Sequence, residues 1–195
     1  MSRLDEVEAH LVRSLGEVVG RASVTFVGTQ RVEVLRFGSG ADSADAVGDG
    51  SPVVRYATLG MSRQPMTDPA EVAPVPGAGP RAELLLSLDE PRDDVFRRLA
   101  VLAMTPSVEG LVVRAGASLY LAEPLWDGAA FTAVLVGAPG GLVHDLGGVE
   151  FFPLLPMTAA ESAWRRVHGS VALEARWLAE GTDLRDPRRR AVSLA

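Results

Sequence analysis

The chain has 195 residues, of which 47% are hydrophobic and 23% are charged, and its formal net charge is −6. A domain of this length can bury a sizeable core without cross-links, and the absence of cysteine excludes disulfides, thiolate catalysis and cysteine-ligated metal centres. The acidic balance disfavours a nucleic-acid partner. No apolar run approaches the ~18 residues of a membrane span, and the charged N-terminus is unlike a signal peptide. We therefore expect a cytoplasmic protein with no membrane partner.

The basic residues are unusual, because all 19 are arginine, while lysine, asparagine and isoleucine are absent. These three residues share A/T-rich codons, so their absence indicates a high-GC, bacterial genome rather than a function. Without lysine the chain has neither a Schiff-base residue nor a P-loop lysine. The run Arg188–Arg190 contains no interleaved aromatic residue and predicts a solvated tail over residues 181–195.

The first half of the chain predicts a helix followed by strands. An amphipathic helix is expected over residues 2–16, within an N-terminal segment 1–20, and is expected to cover one face of a sheet. Alternation on both sides of Gly28–Arg31 predicts a hairpin within residues 24–38. The acidic, glycine-rich stretch 41–52 predicts a loop, since its aspartates lack the spacing of a calcium-binding EF-hand. No metal is therefore expected there.

The middle of the chain combines two strands with a long loop and a helix. A strand is predicted from Val53 to Leu59, and the proline- and glycine-rich segment 64–80 has a length that often carries function. Residues 83–88 are almost continuously apolar, which predicts a buried strand. Pro91 then begins a helix that is expected to end at Met104.

The C-terminal third predicts three more sheet segments and a last helix. The segments are residues 111–125, 131–137 and 149–157, with Pro156 expected to end the third. Thr158 and Glu161 have the spacing of a capping box, which predicts a helix from there to about Glu180. The apolar stripe of this helix, which Gly169 is expected to bend, comprises Trp164, Val167, Val171, Ala175 and Leu178.

The order of these elements, without a repeat or a linker, predicts one α+β domain over residues 1–195. Its centre is expected to be a mostly antiparallel or mixed sheet with helices packed against it.

Ser62 is the residue most open to a catalytic interpretation. The sequence Gly60–Gln64 matches only the first half of the G-x-S-x-G esterase elbow, and a proline-rich loop follows where a helix is required. We instead predict that Gly60 permits a tight path and that Ser62 ties the turn. A Ser62→Ala change should then cost about 1 kcal/mol of stability or less.

The remaining catalytic and metal signals are weak. The chain has three histidines, His10, His144 and His168, and they lack metal-binding spacing. A hydrolase using Ser62 or His144 is kept as an alternative. The favoured prediction has no catalytic residue, no metal and no cofactor.

Several segments in this order resemble the suppressor of fused (SUFU) domain family. They are Tyr56–Ser62, Arg81–Leu86, the Pro91–Met104 helix, Leu119–Leu125, and Phe152–Thr158 before Glu161, and they span roughly residues 50–180. The resemblance implies a protein-binding module without known catalysis. It further implies, for a bacterial member, an immunity or regulatory protein that neutralises a partner such as a polymorphic toxin, as in toxin–antitoxin pairs.

Partner contacts are predicted in the 64–80 loop and its approach. The residues are Arg63, Gln64 and Met66, together with Trp126, which lies in a predicted loop and is expected to serve as an exposed anchor. A further alternative is an accessory protein of a secretion system, which an exposed strand edge or apolar patch would favour.

Overall fold

The computed structural model describes residues 2–25, 31–38, 53–68 and 77–194. Within them lie seven β-strands: β1 Val18–Thr25, β2 Arg31–Phe37, β3 Val54–Leu59, β4 Arg81–Leu88, β5 Ser118–Tyr120, β6 Phe131–Val136 and β7 Val149–Thr158. They also contain four α-helices, α1 Arg3–Leu15, α2 Asp94–Glu109, α3 Ala159–His168 and α4 Ser170–Ala179, and a short 3-10 turn, Met61–Arg63. No helix in these ranges is long and apolar enough to span a bilayer.

All seven strands belong to one mixed sheet in the order β1-β2-β3-β4-β7-β6-β5. Neighbouring strands are antiparallel except β4 and β7, which run parallel. The first half of β7 pairs with β4, and its second half pairs with β6. This strand therefore joins two antiparallel parts, and the predicted α+β class with a mixed sheet is confirmed.

The two faces of the sheet are covered by different helices. Val7, Leu11 and Leu15 of α1 are buried against residues of β2, β3, β4 and β7, as the amphipathic pattern predicts. The apolar side of α2 packs on the other face, in a larger cluster that includes residues from six strands. Burial of these side chains supplies the main stabilisation of the fold.

The predicted hairpin is confirmed, since β1 pairs antiparallel with β2. Its first strand begins at Val18, earlier than the alternation indicates, and its turn at 26–30 lies outside the described residues. The predicted acidic loop 41–52 also lies outside them.

Two prolines lie inside the elements that contain them, and for Pro156 the expectation that it ends its strand is wrong. The helix α2 continues through Pro106 to Glu109, where Gly110, at φ +65°, closes it by donating to the Pro106 carbonyl. The strand β7 continues through Pro156 to Thr158. In a strand, proline removes one N–H donor from the ladder, and the Pro156 carbonyl still accepts a hydrogen bond from Arg189 at 2.5 Å.

Two other element predictions need correction. Of the predicted sheet segment 111–125, only β5 is regular strand. The last helix is broken rather than bent at Gly169, whose φ of +89° ends α3 and precedes α4. The predicted apolar stripe is wrong on both sides of this break, because Leu173 and Trp177 are buried, whereas Val167 of α3 and Val171 and Leu178 of α4 are 79%, 79% and 84% exposed.

Candidate functional site

A fully buried glutamate, Glu83 on β4, organises the turn that follows β3. Its Oε2 accepts a hydrogen bond from the Thr58 hydroxyl at 2.6 Å. Its Oε1 accepts from the amides of Gly60 and Ser62 at 2.9 and 3.0 Å, and from the Ser62 hydroxyl at 2.6 Å. Four neutral donors therefore replace the water that a buried carboxylate loses. The turn is tied to the neighbouring strand through one side chain.

Ser62 stabilises this turn by hydrogen bonding, as the sequence predicts, but its side chain lies in the protein interior. The side chain is fully buried and its hydroxyl is donated to Glu83. The histidines lie in other contacts: Nε2 of His10 is 2.7 Å from the carbonyl oxygen of His144, and His168 stacks on Trp164. In the described part of the chain no histidine is brought to Ser62, so the geometry provides no support for a Ser–His nucleophile.

Metal coordination has no support either, since no group of three or more acidic or histidine side chains in the described ranges could hold a metal ion.

Glycines fix the path at both ends of the predicted loop 64–80, of which residues 69–76 lie outside the described ranges. Gly60 has φ +125°, and a Cβ there would lie 3.1 Å from the Arg31 carbonyl oxygen. At the other end, the Met66 amide donates to the Pro80 carbonyl at 2.8 Å, and a Cβ on Gly79 would lie only 2.4 Å from the Met66 oxygen. The two ends of the loop are thus held together at a point where only glycine fits.

Next to this turn lies a cleft of about 610 Å³, between the 3-10 turn and the C-terminal part of α2. Three of the chain's five methionines line it, Met61, Met66 and Met104. We call it the methionine cleft; its other lining residues are Val32, Gly60, Gln64, Pro65, Thr67, Ala103, Pro106, Ser107 and Gly110. Methionine side chains adapt to irregular apolar ligands, so this concavity suits a protein side chain or segment.

The predicted contact residues divide between two places. Gln64 and Met66 line the methionine cleft, and Arg63 is an exposed neighbour in the preceding turn. Met66 is 4% exposed and its Sδ accepts from the Val113 amide, so it forms a wall rather than a projecting contact. Trp126 is 2% exposed and packs edge to face on Phe131, with ring centroids 5.3 Å apart. The expectation that Trp126 is an exposed anchor is therefore wrong.

The capping box at the start of α3 is confirmed. The Thr158 amide donates to Oε2 of Glu161 at 2.8 Å, and the Glu161 amide donates to the Thr158 hydroxyl at 3.3 Å. The carboxylate also accepts from the Trp177 indole at 3.0 Å and from the Val192 amide at 3.1 Å. Besides capping α3, Glu161 therefore connects this helix to the end of β7, to α4 and to the C-terminal segment; we call this the C-terminal junction.

The cation at this junction is Arg189, which the sequence assigns to a solvated tail. Its side chain is 5% exposed and its guanidinium donates to both carboxylate oxygens of Glu161, at 2.7 and 3.0 Å. It also lies over the rings of Phe131 and Trp177. For Arg189 the prediction of a solvated tail is wrong, because a buried acid and two aromatic rings compete successfully with water.

The pKa of Glu161 reflects two opposed effects. Burial by itself raises the pKa of the carboxyl, but hydrogen bonds from Arg189, Thr158 and Trp177 outweigh burial, and the pKa lies below its ordinary value of 4.5. The carboxylate form is thus the one that the fold stabilises.

Comparison with known proteins identifies the family. The family model described as "Suppressor of fused protein (SUFU)" matches residues 28–190. The chain belongs to the suppressor of fused family. No functionally curated protein sequence matches it.

Solved SUFU structures share the fold. A putative SUFU homologue from Neisseria gonorrhoeae is 17% identical, with 96% of this chain and 94% of that chain covered at a TM-score of 0.69. A chain of the Sufu–Fu complex is 12% identical, with coverages of 97% and 91% and a TM-score of 0.70. Drosophila Suppressor of Fused is also 12% identical, and this chain, 96% covered, matches 50% of its length at a TM-score of 0.64. At these identities the likeness shows the fold.

Proposed function

We propose that this SUFU protein is a non-catalytic binding module whose methionine cleft receives an apolar segment of a protein partner. The observation that carries the proposal is the cleft itself: three methionines give it an adaptable apolar surface beside polar lining groups, and the turn next to it is fixed by Glu83. A preformed concavity of this volume is typical of a binding site. The Sufu–Fu complex, whose Sufu chain shares this fold, supports protein binding as the general role.

The finer proposal is a bacterial immunity or regulatory protein that neutralises a toxin domain. The net charge of −6 supports a basic partner, because complementary charge accelerates encounter between proteins. The buried, hydrogen-bonded state of Ser62 removes the main support for the hydrolase alternative.

The test is capture of the tagged chain from its host cells, followed by mass spectrometry of the bound proteins. A stoichiometric partner with a small basic C-terminal domain is the expected result. A large multi-subunit assembly would favour the secretion-accessory alternative instead. A protein that emerges without any partner, under conditions in which its genomic neighbours are expressed, would contradict the binding module.

Variants then locate the contact. Ser107→Arg places a charged side chain in the methionine cleft, where Ser107 is exposed and lines the wall, and should abolish capture. Val108→Arg is the matched control, because Val108 is 67% exposed and adjacent but does not line the cleft. Equal capture by both variants would place the interface elsewhere.

A further inference from the structure

A second cleft, of about 610 Å³, lies between the loop around Trp126, the start of α3 and the C-terminal segment. Four of the chain's 19 arginines line it: Arg92, Arg188, Arg189 and Arg190. We call it the arginine cleft. This concentration of one cation in an acidic protein needs an explanation beyond solubility.

The acids around the arginine cleft do not pair one to one with its guanidinium groups. Arg92 and Arg188 share a single carboxylate, that of Glu90. Arg189 is occupied by Glu161, and Asp127 is the acidic residue that lines the cleft.

Arg190 provides the remaining charge. It is exposed, and among the described residues no acidic side chain pairs with it. The cleft therefore presents two exposed guanidinium groups, those of Arg188 and Arg190, although the whole chain is at −6.

Backbone amides at the start of α3 add to the attraction of the arginine cleft for an anion. Ala159 and Ala160, the first two residues of α3, line the cleft. Helical geometry leaves amides at these positions without an intrahelical acceptor, at the positive end of the helix dipole. The exposed guanidinium groups and these amides thus favour an anion in the same cleft.

We propose that the arginine cleft binds the carboxylates of an acidic segment in a protein partner. Guanidinium groups pair with carboxylates through two parallel hydrogen bonds, which gives strength and direction. Several arginines along one cleft match several carboxylates along a peptide, and the exposed Ala130 offers apolar contact to the methylene groups of glutamate. The inference rests on the proposed protein-binding function and adds a second, chemically different contact to it.

The test is isothermal titration calorimetry of the full chain with a hexaglutamate peptide blocked at both ends, at low ionic strength. We expect binding that weakens as salt is added. The double variant Arg188→Glu/Arg190→Glu should reduce the affinity at least tenfold. In the wild type, amide and indole NMR signals of Trp126, Ala159 and Ala160 should shift on titration, which a purely structural role of the arginines would not produce.

The matched control is Arg3→Glu/Arg13→Glu, which makes the same change in net charge on exposed residues of α1. This helix packs beside Val149, whereas Thr158 ends the same strand roughly 30 Å away. The control should bind hexaglutamate within twofold of the wild type. Equal loss in both double variants, or no shift at Trp126, Ala159 and Ala160, would overturn the proposal.

A competition with inorganic phosphate separates a peptide site from a general anion site. Displacement of hexaglutamate by phosphate at the peptide's own concentration would overturn the assignment to an acidic segment. The two proposals also fail separately: loss of partner capture with Ser107→Arg tests the methionine cleft, whatever the hexaglutamate titration gives.

Discussion

Two buried glutamates stabilise this SUFU domain by opposite means. Glu83 is surrounded by neutral donors, two hydroxyls and two amides, all from the strand and turn beside it. Glu161 is paired with a cation, Arg189, that lies 28 residues further along the chain. Both side chains are fully buried. The first arrangement fixes a local turn, and the second fastens a distant segment to the fold.

This difference indicates how much stability each region loses when one residue is substituted. A carboxylate held by neutral donors loses one hydrogen bond when one donor is removed, and the other donors remain. A buried ion pair that loses one partner leaves an uncompensated charge in the interior. We therefore expect the C-terminal junction to be more sensitive to single substitutions than the turn at Ser62.

The largest effect is expected from Arg189→Met. The substitution keeps an apolar stem but leaves Glu161 buried without its cation, and should cost about 3–5 kcal/mol in the free energy of unfolding. Urea denaturation followed by circular dichroism measures it. Arg190→Met, at the exposed neighbour, is the control and should change stability by less than about 0.5 kcal/mol. Similar midpoints for the two variants would contradict a stabilising role for the junction.

Ser62→Ala tests the neutral arrangement. The sequence alone predicts a cost of about 1 kcal/mol or less, but a buried hydroxyl donated to a carboxylate raises this to about 1.5–3 kcal/mol. Ser14→Ala, on the exposed side of α1, is the matched control and should be close to neutral. If Ser62→Ala unfolded at the same urea concentration as Ser14→Ala, Glu83 would not be holding the turn.

The contribution of Glu161 to folding stability should depend on pH. Because the pKa of Glu161 in the fold lies below the ordinary 4.5, the folded state binds fewer protons there than the unfolded state. Its contribution is therefore present above about pH 4.5 and is lost as the pH falls through the lower, folded pKa. Stability curves between pH 6 and pH 3 should fall less steeply for Glu161→Gln than for the wild type. Parallel curves would show that this carboxyl does not contribute.

Local sequence patterns predict much of this molecule. Helical spacing places Val7, Leu11 and Leu15 of α1 correctly, alternation finds the β1–β2 hairpin, and Thr158 with Glu161 forms the expected capping box. Each of these depends on interactions between residues close in the chain. The match of residues 28–190 to the SUFU family confirms the resemblance that these elements produce together.

The features that the sequence does not predict depend on contacts between distant residues. Arg189 is in a run of three arginines, and only the folded chain shows which of them meets Glu161. Glu83 had a readable signal, an acid directly before the apolar run Leu84–Leu86, but its partners lie over 20 residues earlier. Similarly, the apolar stripe predicted for the last helix is exposed at Val167 in α3 as well as at Leu178 in α4, because the buried side is set by the strands and the C-terminal segment on which the helices pack.

The smallest change in stability is expected on the exposed side of α4. Leu178 is 84% exposed although it belongs to the predicted apolar stripe, so Leu178→Glu should change stability by less than about 0.5 kcal/mol. Leu173→Ala, on the buried side of the same helix, should cost about 2–5 kcal/mol because it opens a cavity among β6, β7 and the C-terminal segment. Thermal denaturation of the pair measures which side of α4 faces the core. A Leu178→Glu protein as unstable as Leu173→Ala would mean that α4 buries the side that carries Leu178, in contradiction to the burial of Leu173 and Trp177.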